Sequence, residues 1–130
     1  MNGLLKIAND EGIKIDLFPM NEVKSVSVPK AIALNPNKIK SNRELKVILG
    51  HELGHHKRNA FYTVKSSLKT RGWQEERATR WAVDTLLPAD KIKDAFEKGH
   101  TEVWQLAEYF DVTEDFIRDA VRVHKLKGQL

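Results

Sequence analysis

The residues in this chain best arranged for chemistry are two histidines with a glutamate between them, in His51-Glu52-Leu53-Gly54-His55. In an α-helix, residues four positions apart lie about 40° apart around the axis and one turn along it, so two imidazoles can converge on one ion. The chain has no cysteine, so a metal here must sit on His, Asp or Glu, and disulfides are excluded. A zinc ion brings the pKa of a neighbouring water towards about 7, and a glutamate at this spacing is near enough to take its proton. His51 and His55 are therefore expected to hold Zn2+, with Glu52 as general base. The competing account is two surface histidines on a basic helix.

A catalytic zinc needs a third protein ligand and one open position. Glu75 and Glu76 are the candidates, expected at the start of the next helix, and helical phase separates them. Glu75, Ala78, Thr79, Ala82 and Leu86 fall on one stripe, and its two alanines would let that helix approach the metal helix closely. Glu76 lies about 100° away, towards Arg80 and solvent. Glu75 is the expected third ligand, and Thr79, one turn on, could hydrogen-bond a ligand from behind. Against this stands the account that both glutamates are solvated first-turn residues favoured by the helix dipole.

These residues require two helices packed side by side. Ser41 with Glu44 has the capping-box pattern, and a helix is expected from there to about Lys57, with Leu45, Ile48, Leu49 and Leu53 on one face. Residues 58–72 read as a loop, and Gln74 to Leu87 as the second helix, stopped by Pro88. Upstream, Leu4 to Ala8 suggest a short helix. Ile13, Ile15 and Leu17 alternate as a half-buried strand does, and Val23 to Val28 and Ala31 to Leu34 read as further strands, with Pro29 limiting pairing and Asn35-Pro36-Asn37 a turn. Downstream, helices are expected over 88–96, 101–110 and 113–124. Strands first and helices after predict an α+β fold, and 130 residues fit one domain, 1–130, with C-terminal helices 101–126 packed on it.

Composition narrows the setting. The net charge of +4, from 22 Lys and Arg against 18 Asp and Glu, is small and dispersed, which argues against nucleic acid as a partner. The run Lys38, Lys40, Arg43, Lys46 reads as a solvated face. The first ten residues lack a signal-peptide pattern and no apolar run approaches a membrane span, so a cytoplasmic protein without membrane contact is expected. Nothing in the sequence sets an oligomeric state.

His51-Glu52-Leu53-Gly54-His55-His56, then Glu75-Glu76-Arg77-Ala78-Thr79-Arg80-Trp81-Ala82, then Leu86-Leu87-Pro88, together resemble the ImmA/IrrE family of metallopeptidases, most of all its short members from phages and mobile elements of Gram-positive bacteria. The resemblance covers nearly the whole chain. It implies a zincin-like fold with a small sheet and an active-site helix, His51 and His55 as zinc ligands, Glu52 as general base and Glu75 as third ligand, the gluzincin arrangement. The family usually has Asp or Asn four residues after that glutamate; here it is Thr79, which carries no charge. The resemblance further implies a zinc-dependent endopeptidase that cleaves a partner protein, a helix-turn-helix repressor of a phage or mobile element. Two other roles compete: a regulator that sequesters the repressor without cutting it, and a DNA-binding regulator.

Other residues need placing. His56 is expected at the helix end rather than on the metal, and His100 and His124 as ordinary polar residues. Tyr62 could donate to the oxyanion formed when water attacks a peptide carbonyl; its other reading is packing. Trp73, Trp81 and Trp104 fit core positions. Val103 to Ile117 resembles a helix-turn-helix, but its second helix opens with Thr113-Glu114-Asp115, whose carboxylates would repel phosphate, so packing is the expected role.

Overall fold

Three short strands precede five of the six helices in the computed structural model, which describes Met1 to Leu130. Helix α1 (Asn2–Asp10) leads into β1 (Lys14–Leu17), β2 (Ser25–Val28) and β3 (Ala31–Leu34). The helices that follow are α2 (Asn42–Lys57), α3 (Leu68–Leu86), α4 (Ala89–Glu97), α5 (Val103–Phe110) and α6 (Glu114–Leu126). The fold is α+β, as the strand-then-helix order predicts.

The sheet order is β1-β3-β2, with β1 parallel and β2 antiparallel to β3. Pro29 does not interrupt pairing: Val28 still faces Ala31, and the turn between them is Pro29-Lys30, with Lys30 at φ +69°. Proline sets the first turn position and a left-handed residue takes the second. Strand β2 is left at the sheet edge. Asn35 is buried without cost in unpaired groups. Its amide donates to Met20 and Val23 carbonyls at 2.7 and 2.9 Å, and its oxygen accepts from Asn37.

Two apolar clusters meet at α3. One joins Leu4, Ile13, Ile32 and Leu34 to Leu49 and Leu53 of α2; the other holds Val83 and Leu87 against Ile92, Leu106, Val112, Phe116, Ile117 and Val123. Trp81 and Leu86 pack on both. Each fully buried aliphatic side chain contributes about 1.5–3 kcal/mol relative to exposure. Trp73 and Trp104, expected in the core, are instead 60% and 57% exposed. Neither belongs to the apolar stripe of its helix, and only Trp81 is held between elements.

The capping pattern at α2 is half realised. Ser41 Oγ accepts from the Glu44 backbone N–H, but the Glu44 carboxylate accepts from Lys40 N–H and pairs with Lys24 rather than returning to Ser41. The basic run is not wholly solvated: Arg43 pairs with Asp111 at 3.0 Å and Lys46 donates to the Phe110 carbonyl, so both hold the end of α5. Helix α3 starts six residues earlier than Gln74. Ser67 caps it by accepting from Thr70 N–H, and Arg71 reaches back to the Val64 and Ser66 carbonyls. Gly72 and the absence of apolar periodicity hide this turn in the sequence. Glu75 and Glu76 therefore lie in the helix interior, and the dipole account of them fails.

His124 is not an ordinary polar residue. It is 1% exposed, with Nε2 donating to the Leu87 carbonyl at 2.7 Å and Nδ1 facing Gln129 Oε1 at 3.2 Å. His100 stacks on Tyr109 at 4.3 Å. No helix is long and apolar enough to cross a membrane.

Candidate metal centre

The closest crossing of α2 and α3 decides the site. A Cβ built on Gly54 would overlap the Ala78 carbonyl oxygen and lie 2.9 Å from its Cα, whereas Ala78 and Ala82 are both fully buried. Only glycine on one helix against alanine on the other lets the two axes come this near. Glu75, one turn before Ala78, is thereby carried to the histidines of α2.

The three expected ligands converge. His51 Nε2 is 2.6 Å from Glu75 Oε2, and His55 Nε2 is 3.3 Å from Glu75 Oε1. One ligand atom from each of the three residues lies within 4.8 Å of the others; donors bonded to one tetrahedral ion at about 2.0–2.2 Å lie about 3.3–3.6 Å apart, so the side chains need only small rotations to share one. The two imidazoles meet edge to face, centroids 4.9 Å apart. Two imidazoles and a carboxylate are a donor set for a divalent metal, and the group can bind one.

The tautomer of His55 follows from its other nitrogen. Nδ1 lies 2.6 Å from the Ala60 carbonyl; a carbonyl only accepts, so Nδ1 carries the proton and Nε2 keeps a lone pair for a metal. The backbone after α2 builds this contact. Asn59 is left-handed at φ +49°, Asn59 N–H bonds the His56 carbonyl and Ala60 N–H bonds the His55 carbonyl at 2.7 Å, the paired bonds of a Schellman turn. The turn folds Ala60 back over His55. Arg77 of α3 also donates to the Arg58 carbonyl at this end. His51 has weaker support: its Nδ1 is 3.3 Å from Thr79 Oγ1. Thr79 thus lies where helical phase puts it, offering a long, uncharged contact.

Glu52 is 6% exposed, with one carboxylate oxygen 3.9 Å from His55 Nε2. Burial raises its pKa above the ordinary carboxylate range, against the pull of His55, His51 and Ser27, while Glu75 adds to the rise. Glu75 moves the opposite way: hydrogen bonds from His51, then His55, lower its pKa despite burial. Burial works against the charged form of His55, but the Glu75 hydrogen bond, the Ala60 carbonyl and the nearby carboxylates outweigh it and raise the pKa. Tyr62 donates to Glu75 Oε1 at 2.6 Å, a bond that, with burial and the Glu75 charge, pushes its pKa up to about 12, so it stays a donor at neutral pH.

His56 turns from the cluster as expected and packs edge-on against Phe61 at 5.0 Å. Glu76 also faces away. It pairs with Arg80 at 3.0 Å and takes a two-pronged bond from Arg122 of α6 at 2.8 and 3.0 Å.

A cleft of about 230 Å³ opens over Glu52, His55, Tyr62 and Glu75, with Ser25, Val26 and Ser27 of the β2 edge along one side. Sequence reasoning did not find this strand's place beside the site, nor Gly54, Asn59 and the Ala60 carbonyl. Two signals were available: glycine inside a helical motif, and asparagine just past a helix end.

Comparison with protein families matches residues 8–122 to the family model Peptidase_M78, the IrrE N-terminal-like domain. No curated protein matches the chain.

Proposed function

The chain belongs to the Peptidase_M78 family, which supports a peptidase, and from that membership and the convergence of His51, His55 and Glu75 we propose that it is a zinc-dependent endopeptidase. Its substrate in this reading is a specific partner protein, a helix-turn-helix repressor of a phage or mobile element, cut in the cytoplasm. The single observation that carries the chemistry is the cluster itself, three ligand atoms within 4.8 Å with buried Glu52 on the cleft side. A zinc ion held there would supply Lewis acidity, acidifying water and polarising a peptide carbonyl.

The protein's own residues divide the remaining work. His55 is locked as the Nδ1–H tautomer by Ala60, and His51 is steadied by Thr79. Glu52, a stronger base for being buried, takes the proton of the attacking water and passes it to the leaving amine. Tyr62, released from Glu75, donates to the oxygen of the attacked carbonyl. The unpaired edge of β2 borders the cleft, so an extended substrate segment can add to it as a strand, aligned by backbone hydrogen bonds. The α6 cations do not favour a DNA-reading role: Arg118 is held by Asp115 and Glu114, and Arg122 by Glu76.

The test is Glu52→Gln. Purified parent and variant should each bind about one zinc per chain; the parent should cleave its partner repressor and the variant should leave it intact. Cleavage by the variant at the parent rate would refute the mechanism. An intact repressor in a stable complex with the zinc-loaded parent would favour sequestration.

A further inference from the structure

Between His100 and Ile117 the chain carries no Lys or Arg but five acids, Glu102, Glu108, Asp111, Glu114 and Asp115. The remaining residues hold all 22 cations against 13 acids, so their net charge is +9 where the whole chain has +4. A basic protein thus carries one acidic segment, with helix α5 inside it. Such a segment repels phosphate and attracts cations.

Most of these acids are already used. Arg43 pairs with Asp111, and Arg118 with Glu114 and Asp115. Glu102 sits at the N-cap of α5, where negative charge meets the positive end of the helix. Glu108 is the exception: it is exposed, and no cation of the chain pairs with it. Lys98, which borders Tyr109, is held by Asp94 at 2.9 Å and by the Tyr109 hydroxyl at 3.3 Å.

Beside Glu108 lies a cavity of about 380 Å³, walled by His100, Trp104, Gln105 and Tyr109. It shares no residue with the cleft over Glu52. His100 stacks on Tyr109, centroids 4.3 Å apart and planes 29° from parallel, so one wall is a fixed aromatic pair. Trp104 is another wall and is 57% exposed. Trp104 and Glu108 are four residues apart on α5, hence neighbours on one helix face. The chain's other strongly exposed tryptophan shows the contrast. Trp73 has Lys69 four residues before it, with the ammonium 4.9 Å from its ring. Trp104 has no cation over its ring, and at the four-residue spacing it has an acid.

An open aromatic face next to a free carboxylate is a receptor for a planar cation. A guanidinium can stack on the indole and give two hydrogen bonds to the carboxylate at once, which the point charge of a lysine cannot match. We infer that this cavity is an arginine-binding site, through which α5 docks a protein partner whose contacting segment presents an exposed arginine. The inference does not rest on the peptidase reading, since none of its residues lines the metal cleft.

The experiment follows the isotope-labelled full chain by NMR. It is titrated with the blocked pentapeptide Ala-Ala-Arg-Ala-Ala to about 20 mM, well above a Kd of order 1 mM, and with versions carrying Lys or Glu at the centre. The Trp104 indole N–H and the Glu108 and Tyr109 amides should move saturably with the Arg peptide, at least threefold more weakly with Lys, and not with Glu. Trp104→Ala and Glu108→Lys should each weaken Arg binding at least tenfold, read at the Tyr109 amide, whereas Trp73→Ala should leave it unchanged. Both replaced side chains are exposed, and a lysine near the C-terminal end of α5 suits the helix dipole, so both variants should melt with the parent. Signals unmoved by the Arg peptide, equal movement with the Arg and Glu peptides, or parent-like binding by a folded Glu108→Lys would overturn the inference. Sedimentation of the parent at the same concentration tests the other occupant. A monomer upholds a separate partner; self-association that Trp104→Ala abolishes would put an arginine of a second copy in the cavity and overturn it.

Discussion

Replacing Gly54 by alanine should dismantle the metal site without touching a ligand. The added Cβ would lie 2.9 Å from Ala78 Cα and 3.0 Å from its carbonyl carbon, while carbon atoms rest at about 3.5–4.0 Å. The neighbour is α3 backbone, which cannot rotate aside, so the helices must separate by about 1 Å. Glu75 sits one turn from Ala78 and moves with it. Metal sites tolerate ligand displacements of about 0.2 Å, so the shift breaks the His51–His55–Glu75 geometry several times over. Zinc affinity should fall at least 100-fold, and apo-protein stability by about 1–3 kcal/mol, the usual range for overpacking. Gly50→Ala is the matched control. Its Cβ would be crowded only by the end of the Leu86 side chain, at 3.0 Å, with Ala82 Cβ and Leu4 Cδ1 in ordinary contact at 3.7 and 3.9 Å; the Leu86 chain can turn, so zinc affinity should hold within about threefold, a change under roughly 1 kcal/mol. Competitive titration against a zinc-binding dye and thermal unfolding of both apo proteins measure the two effects. Gly54→Ala binding zinc as tightly as the parent would refute the argument that this crossing positions Glu75.

Asn59→Val should destabilise the protein by about 1–2 kcal/mol, because a β-branched residue resists the left-handed backbone seen at φ +49°, while Asn59→Gly should be near neutral; the valine variant should also bind zinc more weakly, as Ala60 no longer fixes His55, and calorimetry reads both. Zinc binding at pH 7 should release protons, because the apo-state His55 pKa is raised above 6.5 and the metal takes only the neutral ring; affinity should weaken as pH falls, and zinc titrations in buffers of different ionisation enthalpy count the protons. Glu76→Gln should cost about 0.5–1 kcal/mol at pH 7, the range for a part-exposed ion pair. The folded-state pKa of Glu76 is lowered, first by the Arg122 hydrogen bond, so its contribution is full above the unfolded carboxyl pKa of about 4.3 and is lost as pH falls through the folded value. Denaturant melts of parent and variant should therefore converge in acid; a gap that widens there would contradict the pairing.

The sequence by itself determined what depends on neighbours along the chain. The spacing of His51, Glu52 and His55 on one helix, the phase that separates Glu75 from Glu76, the strand-then-helix order and the stop at Pro88 are all local, and they stand in the structure where helical and strand periodicity place them. What failed was what contacts between distant segments decide. The first six residues of α3 have no apolar period and are held by a cap and by Arg71 gripping the preceding loop. Trp73 and Trp104 are hydrophobic by type but stay largely exposed, Trp73 with only the Lys69 ammonium over its ring, and His124 is polar by type but finds a buried carbonyl. The tertiary structure alone set how near α2 and α3 approach, which carbonyl fixes the tautomer of His55, and that a strand edge and α6 border the site. Ligand types are written in the sequence because chemistry selects them residue by residue. The distance between them is not, because it is fixed by the packing of surfaces that meet only after the chain has folded.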